Sequence, residues 1–100
     1  MLKEKKIFKV RKITVIYKKL GRERAYGVAY SDEKHIYIDE RLKGKKHLEI
    51  LLHESLHVLF PEANEDEIIK KSIVLTNTVW GQHYRRIDNT NDTPLQDGKK

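Results

Sequence analysis

The sequence contains no cysteine, and this absence excludes two kinds of stabilising site. Disulfide bonds cannot form, although small secreted domains commonly depend on them. Thiolate metal sites are excluded for the same reason, which leaves histidine and carboxylate side chains as the only strong metal ligands. We therefore expect an intracellular, cytoplasmic protein.

Long hydrophobic runs are also missing. No stretch approaches the ~20 apolar residues that span a bilayer, and residues 1–6 lack the apolar region of a secretory signal. We therefore expect no membrane insertion. A chain of 100 residues suffices for one modest core, which we assign to a single domain over residues 1–87. Residues 88–100 offer almost nothing to bury, and we expect them to form a mobile polar tail.

Acidic residues are scarce at the start of the chain. Residues 1–24 hold ten Lys and Arg against Glu4 and Glu23, a net charge of +8, whereas the remainder carries eleven basic and thirteen acidic residues. Such a patch can attract nucleic acid or an acidic protein partner. Aromatic residues are not interleaved with the basic ones, as they are in single-strand binders. We therefore favour cations on the solvent face of a β-ribbon, where they discourage edge-to-edge aggregation.

Three segments have the composition of β-strands. Residues 7–17 combine β-branched and aromatic residues with cations, which predicts one or two strands with one face in water. Residues 25–30 and 35–39 flank a polar turn at 31–34 and predict a hairpin. We expect a small antiparallel sheet of about three to four strands.

Two later segments repeat apolar residues at helical spacing. The first predicted helix runs from about Lys45 to Phe60 and is stopped by Pro61. Asn64 is the predicted N-cap of the second, with Glu67 completing a capping box and Gly81 as a plausible end. Its apolar series comprises Ile68, Ile69, Ser72, Ile73, Leu75, Thr76, Val79 and Trp80. The predicted fold class is α+β, with the sheet packed on both helices.

The run His53-Glu54-Ser55-Leu56-His57 lies inside the first predicted helix. Residues four apart on a helix share one face, so His53 and His57 can reach one tetrahedral metal ion. Glu54 projects beside them, where it can take a proton from a zinc-bound water that attacks an amide carbonyl. The pattern predicts a zinc metallopeptidase with Glu54 as the general base.

An alternative interpretation makes both histidines ordinary residues of an amphipathic helix and Glu54 a solvated charge. The neighbouring apolar residues favour the metal site, because they predict that the helix belongs to the core. They are Leu48, Ile50, Leu51, Leu52, Leu56 and Leu59. Two buried imidazoles need polar partners, and a metal ion satisfies both at once.

A catalytic zinc site needs a third protein ligand. The acidic cluster that opens the second helix is the nearest source, because only residues 61–63 separate the first helix from Asn64. Glu65 is preferred, since Glu67 is then free to complete the cap. Glu67, Asp66 and, further along the chain, His83 remain alternatives.

Together with Pro61, Asn64-Glu65 and the ribbon that ends at His35–Asp39, the motif resembles that of the minimal gluzincin-type metallopeptidases, or minigluzincins. These are similar to the catalytic cores of HtpX-like membrane zinc peptidases and, more distantly, to ImmA/IrrE and SprT-like proteins. The resemblance covers about residues 25–80. It implies a zincin-like fold, His53, His57 and Glu65 as zinc ligands, and Glu54 as the base.

The resemblance also implies a rim strand that pairs with an extended peptide or protein substrate. Either of the two hairpin segments, residues 26–30 or 35–39, qualifies for this role. Such an enzyme needs a group that stabilises the oxyanion beside zinc, and the sequence does not choose among the chemically able residues. They are Tyr30, Tyr37, His83, Tyr84 and Arg85.

Overall fold

The computed structural model describes residues 11–21 and 26–87 as a small α+β fold. Its elements are β1 (Thr14–Lys18), β2 (Gly27–Tyr30), β3 (His35–Asp39), α1 (Gly44–Leu59) and α2 (Glu65–Gly81). The predicted tail, residues 88–100, lies outside the described residues, as do the first ten residues of the basic N-terminal quarter. Among the described helices, none combines the length and apolar composition needed to cross a membrane.

The three described strands form a mixed sheet in the order β1-β3-β2. β2 and β3 are antiparallel, as the hairpin pattern predicts, but β1 runs parallel to β3, so the prediction of an all-antiparallel sheet is wrong. Ile36 and Ile38 are completely buried, and the central position gives β3 a paired neighbour on each side. β1 and β2 lie on either side of β3 and are therefore two strand spacings apart, each of about 4.8 Å. The eight residues that connect β1 to β2 are enough to cover this distance.

The hairpin turn is a short 3₁₀ helix at Ser31–Glu33. Lys34 closes it in the left-handed region at φ 56° and donates its backbone N–H to the carbonyl of Ser31. The turn sets the register that pairs Tyr30 with His35 and Val28 with Tyr37. Alternation along the strands then turns Ile36 and Ile38 toward α1 and their neighbours toward the opposite face.

α1 lies on one face of the sheet and is close to the predicted helix in extent. It begins at Gly44, whose φ of +62° favours glycine, and ends at Leu59, two residues before Pro61. The core of this layer is formed by Ile36, Ile38 and Val58, with partly buried apolar residues of β1, β2 and α1 around them. These contacts fix the position of α1 on the sheet.

α2 begins after Asn64, whose Oδ1 accepts the backbone N–H of Glu67 at 2.9 Å, so the predicted N-cap is confirmed. The helix packs mainly on α1 and buries Ile68, Ser72 and Thr76. Much of the apolar series predicted for α2 does not face the core, because one neighbouring helix covers only a narrow stripe. The exposed members are Ile69, Ile73 and Leu75.

A buried carboxylate ties the end of β3 to the following turn. Asp39 accepts hydrogen bonds from the backbone amides of Leu20 and Arg41 and from the Arg41 guanidinium, the shortest at 2.7 Å. The Arg41 side chain and backbone hold the pKa of Asp39 well below its usual range. This network joins the ends of β1 and β3 near the point where the chain leaves for α1.

Candidate metal centre

α1 presents His53 and His57 on one face, one helical turn apart. Their ring centroids are 4.9 Å apart and the rings are inclined at 68°, so the two imidazoles face a common volume. Their side chains are 16% and 27% exposed, which makes them less buried than the apolar sequence around them predicts. Both histidines are therefore fixed by the helix and accessible from solvent.

Glu65 reaches both histidines from the first residue of α2. Its Oε1 lies 2.8 Å from Nε2 of His57 and its Oε2 lies 3.2 Å from Nε2 of His53. A short turn makes this approach possible: the backbone N–H of Ala63 donates to the carbonyl of Phe60, and the chain reverses before the Asn64 cap. The structure thus brings together the two motif histidines and the preferred third residue.

The three side chains form a group that could hold a metal ion. One donor atom from each lies within 4.8 Å of the others, and Glu65, at 58% exposed, leaves one side of the group open to solvent. Two imidazole nitrogens and a carboxylate oxygen match the ligand chemistry of zinc. Ligands bound at about 2.1 Å in a tetrahedron are separated by about 3.4 Å. The Glu65 oxygens lie 2.8 and 3.2 Å from the two histidine nitrogens, somewhat closer than this, so a small outward movement of the side chains would make room for an ion.

Glu54 occupies a different environment from Glu65. It projects from α1 toward β2 and is only 9% exposed. Burial raises the pKa of its carboxyl group, the charge of His57 opposes the rise, and the Glu65 carboxylate adds to it. Two carboxylates thus lie beside the same histidines, one exposed among potential ligands and one buried against the sheet.

The strand beside Glu54 is β2. Among the described strands β3 is paired on both sides, so only β2 presents a free edge next to this part of α1. The hydroxyl of Ser31, directly after β2, donates to the carbonyl of His57 at 3.1 Å and fixes the strand end to the helix. Of the two segments that the resemblance offers as a rim strand, residues 26–30 contain the strand with one edge left unpaired by the described strands.

The alternative third ligands lie away from the histidines. Glu67 makes its side-chain ion pair with Lys71, at 3.7 Å, and neither Glu67 nor Asp66 belongs to the group of donor atoms around the histidines. His83 follows the opposite end of α2, where its backbone N–H donates to the carbonyl of Trp80. Trp80 lies fifteen positions after Glu65 on α2, a rise of about 22 Å. His83 is therefore too distant to complete the group.

The five residues named as possible oxyanion stabilisers also lie away from His53, His57 and Glu65. Tyr30 and Tyr37 pack edge to face, 5.6 Å apart, on the side of the sheet that faces away from α1. Arg85 stacks over Trp80 at 3.5 Å, so it and its neighbours Tyr84 and His83 are at the far end of α2. No described residue from this set reaches the histidines.

The sequence pattern predicts no role for two residues, Gly27 beside Glu54 and His47 near the end of α1 that lies against Trp80. Gly27 lies directly against Glu54, and a glycine inside an alternating strand is a signal for such close approach. His47 is buried on α1, and its Nε2 lies 3.0 Å from the hydroxyl of Tyr17 on β1. No sequence signal distinguishes His47 from an exposed histidine, because its partner is thirty residues away.

Comparison with protein families, with curated proteins and with solved structures finds no match for this chain. The resemblance to gluzincins therefore rests on the motif and its spacing. The functional argument rests on the geometry of His53, His57, Glu65 and Glu54.

Proposed function

We propose that this protein is a zinc-dependent metallopeptidase. The observation that carries the proposal is the contact of the Glu65 carboxylate with both histidines: Oε2 lies next to Nε2 of His53, and Oε1 lies next to Nε2 of His57. A histidine pair one turn apart with a carboxylate from the next helix is a donor set that suits catalytic zinc. With these three residues as its ligands, zinc would keep a fourth position for water or substrate on the side that is open to solvent.

Zinc bound there would polarise the substrate carbonyl and lower the pKa of a bound water toward neutrality. His53 and His57 hold their positions through the helix backbone, and Glu65 through the Asn64 cap. Glu54 is assigned as the general base: its carboxylate takes the proton of the attacking water and delivers it to the leaving nitrogen. Burial of Glu54 favours proton uptake, since it raises the pKa of the group.

The proposed substrate is an extended peptide or protein segment. Backbone N–H and C=O groups at the edge of β2 that no described strand occupies can pair with such a segment and place its scissile carbonyl beside the histidines. Pairing through the main chain requires no particular substrate side chain. We therefore expect unstructured segments to be preferred over folded ones, because only an extended backbone can add to the edge.

Metal content and cleavage of a peptide library test the proposal. The wild-type protein should bind about one zinc per chain and cleave unstructured peptides, and a chelator should stop cleavage. Glu54→Gln should retain zinc and fold while its rate falls by at least about 100-fold, since only the proton acceptor is lost. Glu49→Gln, the same change at a more exposed position of α1, should leave the rate unchanged.

Two outcomes would contradict the proposal in different ways. Cleavage by Glu54→Gln at the wild-type rate would remove Glu54 from the mechanism. Zinc binding by a wild-type protein that cleaves no peptide would support the alternative, a zinc-stabilised binding module that uses the basic N-terminal ribbon.

A further inference from the structure

β2 carries a glycine where the strand lies against the middle of α1. A Cβ added at Gly27 would lie 2.8 Å from Cγ of Glu54, 2.8 Å from Cγ2 of Ile50 and 3.1 Å from Oε2 of Glu54. Carbon atoms in van der Waals contact are about 3.5–4.0 Å apart. Any side chain at this position would therefore force the strand, or Glu54, to move.

The backbone conformation does not require glycine at this position. Among the described glycines, only Gly44 has a positive φ. A glycine inside a strand normally weakens it, because the unfolded chain gains conformational freedom and no side chain packs. What Gly27 supplies is space for Glu54 rather than freedom of the backbone.

The contacts around Gly27 leave little room for adjustment. Ile50 is β-branched and therefore stiff at χ1. At the other end of β2, the Ser31 hydroxyl holds the chain to the carbonyl of His57. The strand therefore contacts α1 at two places, at Gly27 and at Ser31.

We propose that Gly27 is a positioning residue for Glu54. Its missing side chain lets β2 close onto α1 and sets the gap between the Glu54 carboxylate and a peptide paired with the strand edge. This inference rests on the proposed peptidase function. The three atoms nearest to an added Cβ belong to Glu54 and Ile50, so the metal ligands are not displaced directly.

Steady-state kinetics test the catalytic consequence. Gly27→Ala should lower kcat by about 100-fold, the loss that a misplacement of about 1 Å can cause. KM should stay within about twofold, and zinc affinity should equal that of the wild type, because peptide pairing and metal ligands are retained. Gly81→Ala is the matched control, since a Cβ added there meets nothing within 4 Å. Its kcat and KM should be those of the wild type.

Thermal unfolding of the metal-free protein tests the contact without any assay of activity. Gly27→Ala should lower Tm, and in a Glu54→Ala background the fall should be about half as large or less, because the Glu54 Cγ that obstructs the new Cβ is gone. The Tm shift caused by Gly81→Ala should be the same in both backgrounds. Equal falls for Gly27→Ala in both backgrounds would overturn the proposed contact.

The kinetic outcomes separate this inference from the proposed function. If the wild type cleaves no peptide, the peptidase function fails and the role of Gly27 fails with it. If the wild type is active and Gly27→Ala keeps its kcat, the positioning role is overturned and the function stands. Should Gly27→Ala not fold, Gly27→Ala/Ile50→Ala is compared with Ile50→Ala, because the remaining close contact is then with Glu54 alone. A kcat loss in that pair supports the role, and an unchanged kcat overturns it.

Discussion

Glu65 is the residue on which the proposed metal site depends most, because among the described residues of α2 it is the one whose side chain contacts both histidines of α1. We predict that Glu65→Ala lowers zinc affinity by more than about 100-fold. Loss of a residue that only hydrogen-bonds to a metal ligand already costs about 10–100-fold in affinity, and loss of a ligand should cost more. Asp66→Ala and Glu67→Ala serve as controls. The cap uses only the backbone N–H of Glu67, so neither change removes it. Calorimetric zinc titration measures all three, and equal affinity in Glu65→Ala and wild type would refute the assignment.

His47 makes stability depend on pH. Burial lowers its pKa from the ordinary value of 6.5, and the charge of Arg86 lowers it further, while the Tyr17 hydroxyl contacts its Nε2. The unfolded chain therefore binds a proton at higher pH than the folded protein does. It follows that the contribution of His47 to stability is complete above about pH 6.5 and is lost as pH falls through the lowered value.

We predict that the free energy of unfolding of the metal-free protein falls less steeply between pH 7.5 and pH 5 in His47→Gln than in wild type. Urea titrations at several pH values in this range measure the two slopes. The comparison cancels the other titrating groups, including His53 and His57, because both proteins share them. Identical slopes would show that the folded protein does not disfavour protonation of His47.

At the scale of elements, the interface between the helices is more polar than a typical core. α2 buries Ser72 and Thr76 against α1. The Ser72 hydroxyl donates to the carbonyl of Ile69, but in the described part of the chain the Thr76 hydroxyl has no hydrogen-bond partner. A buried polar group left in this state destabilises the fold, because it loses its hydration without replacement.

Thr76→Val replaces the buried hydroxyl by a methyl group of similar size. We predict that it stabilises the protein by about 1 kcal/mol, which corresponds to a rise in Tm of about 4–8 °C for a domain of this size. Thr78→Val is the control, because the exposed Thr78 hydroxyl already donates to the carbonyl of Val74 at 2.8 Å. A thermal melt that shows no gain for Thr76→Val would indicate that its hydroxyl is satisfied.

At the scale of the whole molecule, His53, His57 and Glu65 connect α1 to α2 across an interface that is otherwise narrow. α2 packs mainly on α1, and it exposes Ile69, Ile73 and Val74 on its other faces. A metal ion bound to His53, His57 and Glu65 would add a second connection between the helices. Because the unfolded chain does not hold these residues together, the free energy of binding also stabilises the fold.

We predict that removal of zinc lowers Tm and that added zinc restores it. At a free zinc concentration 100 times the Kd, the stabilisation is about 2.7 kcal/mol. Differential scanning fluorimetry with a chelator and with graded zinc measures the effect. His57→Ala should show no response over the same range, and a wild-type Tm that does not depend on zinc would contradict the coupling.

Local patterns predicted the elements correctly where neighbouring residues decide the structure. The hairpin, the extent of α1 and the Asn64 cap each depend on residues within a few positions of one another. The direction of β1 could not be read in this way, because pairing with β3 joins residues about twenty positions apart. The choice between residues 26–30 and 35–39 as the rim strand could not be made from the sequence for the same reason. The order of the strands decides which of them lies at the edge of the sheet.

The sequence by itself determined that His53, Glu54 and His57 lie close together, because residues three or four positions apart on a helix are neighbours on its surface. It also placed Glu65 close to them, since the short connection between the helices allows only a sharp reversal. Tertiary structure decided that Glu65 and not Glu67 or His83 meets the histidines, and that Gly27 faces Glu54. Those contacts join separate elements, and their geometry is set by how the strands and helices pack.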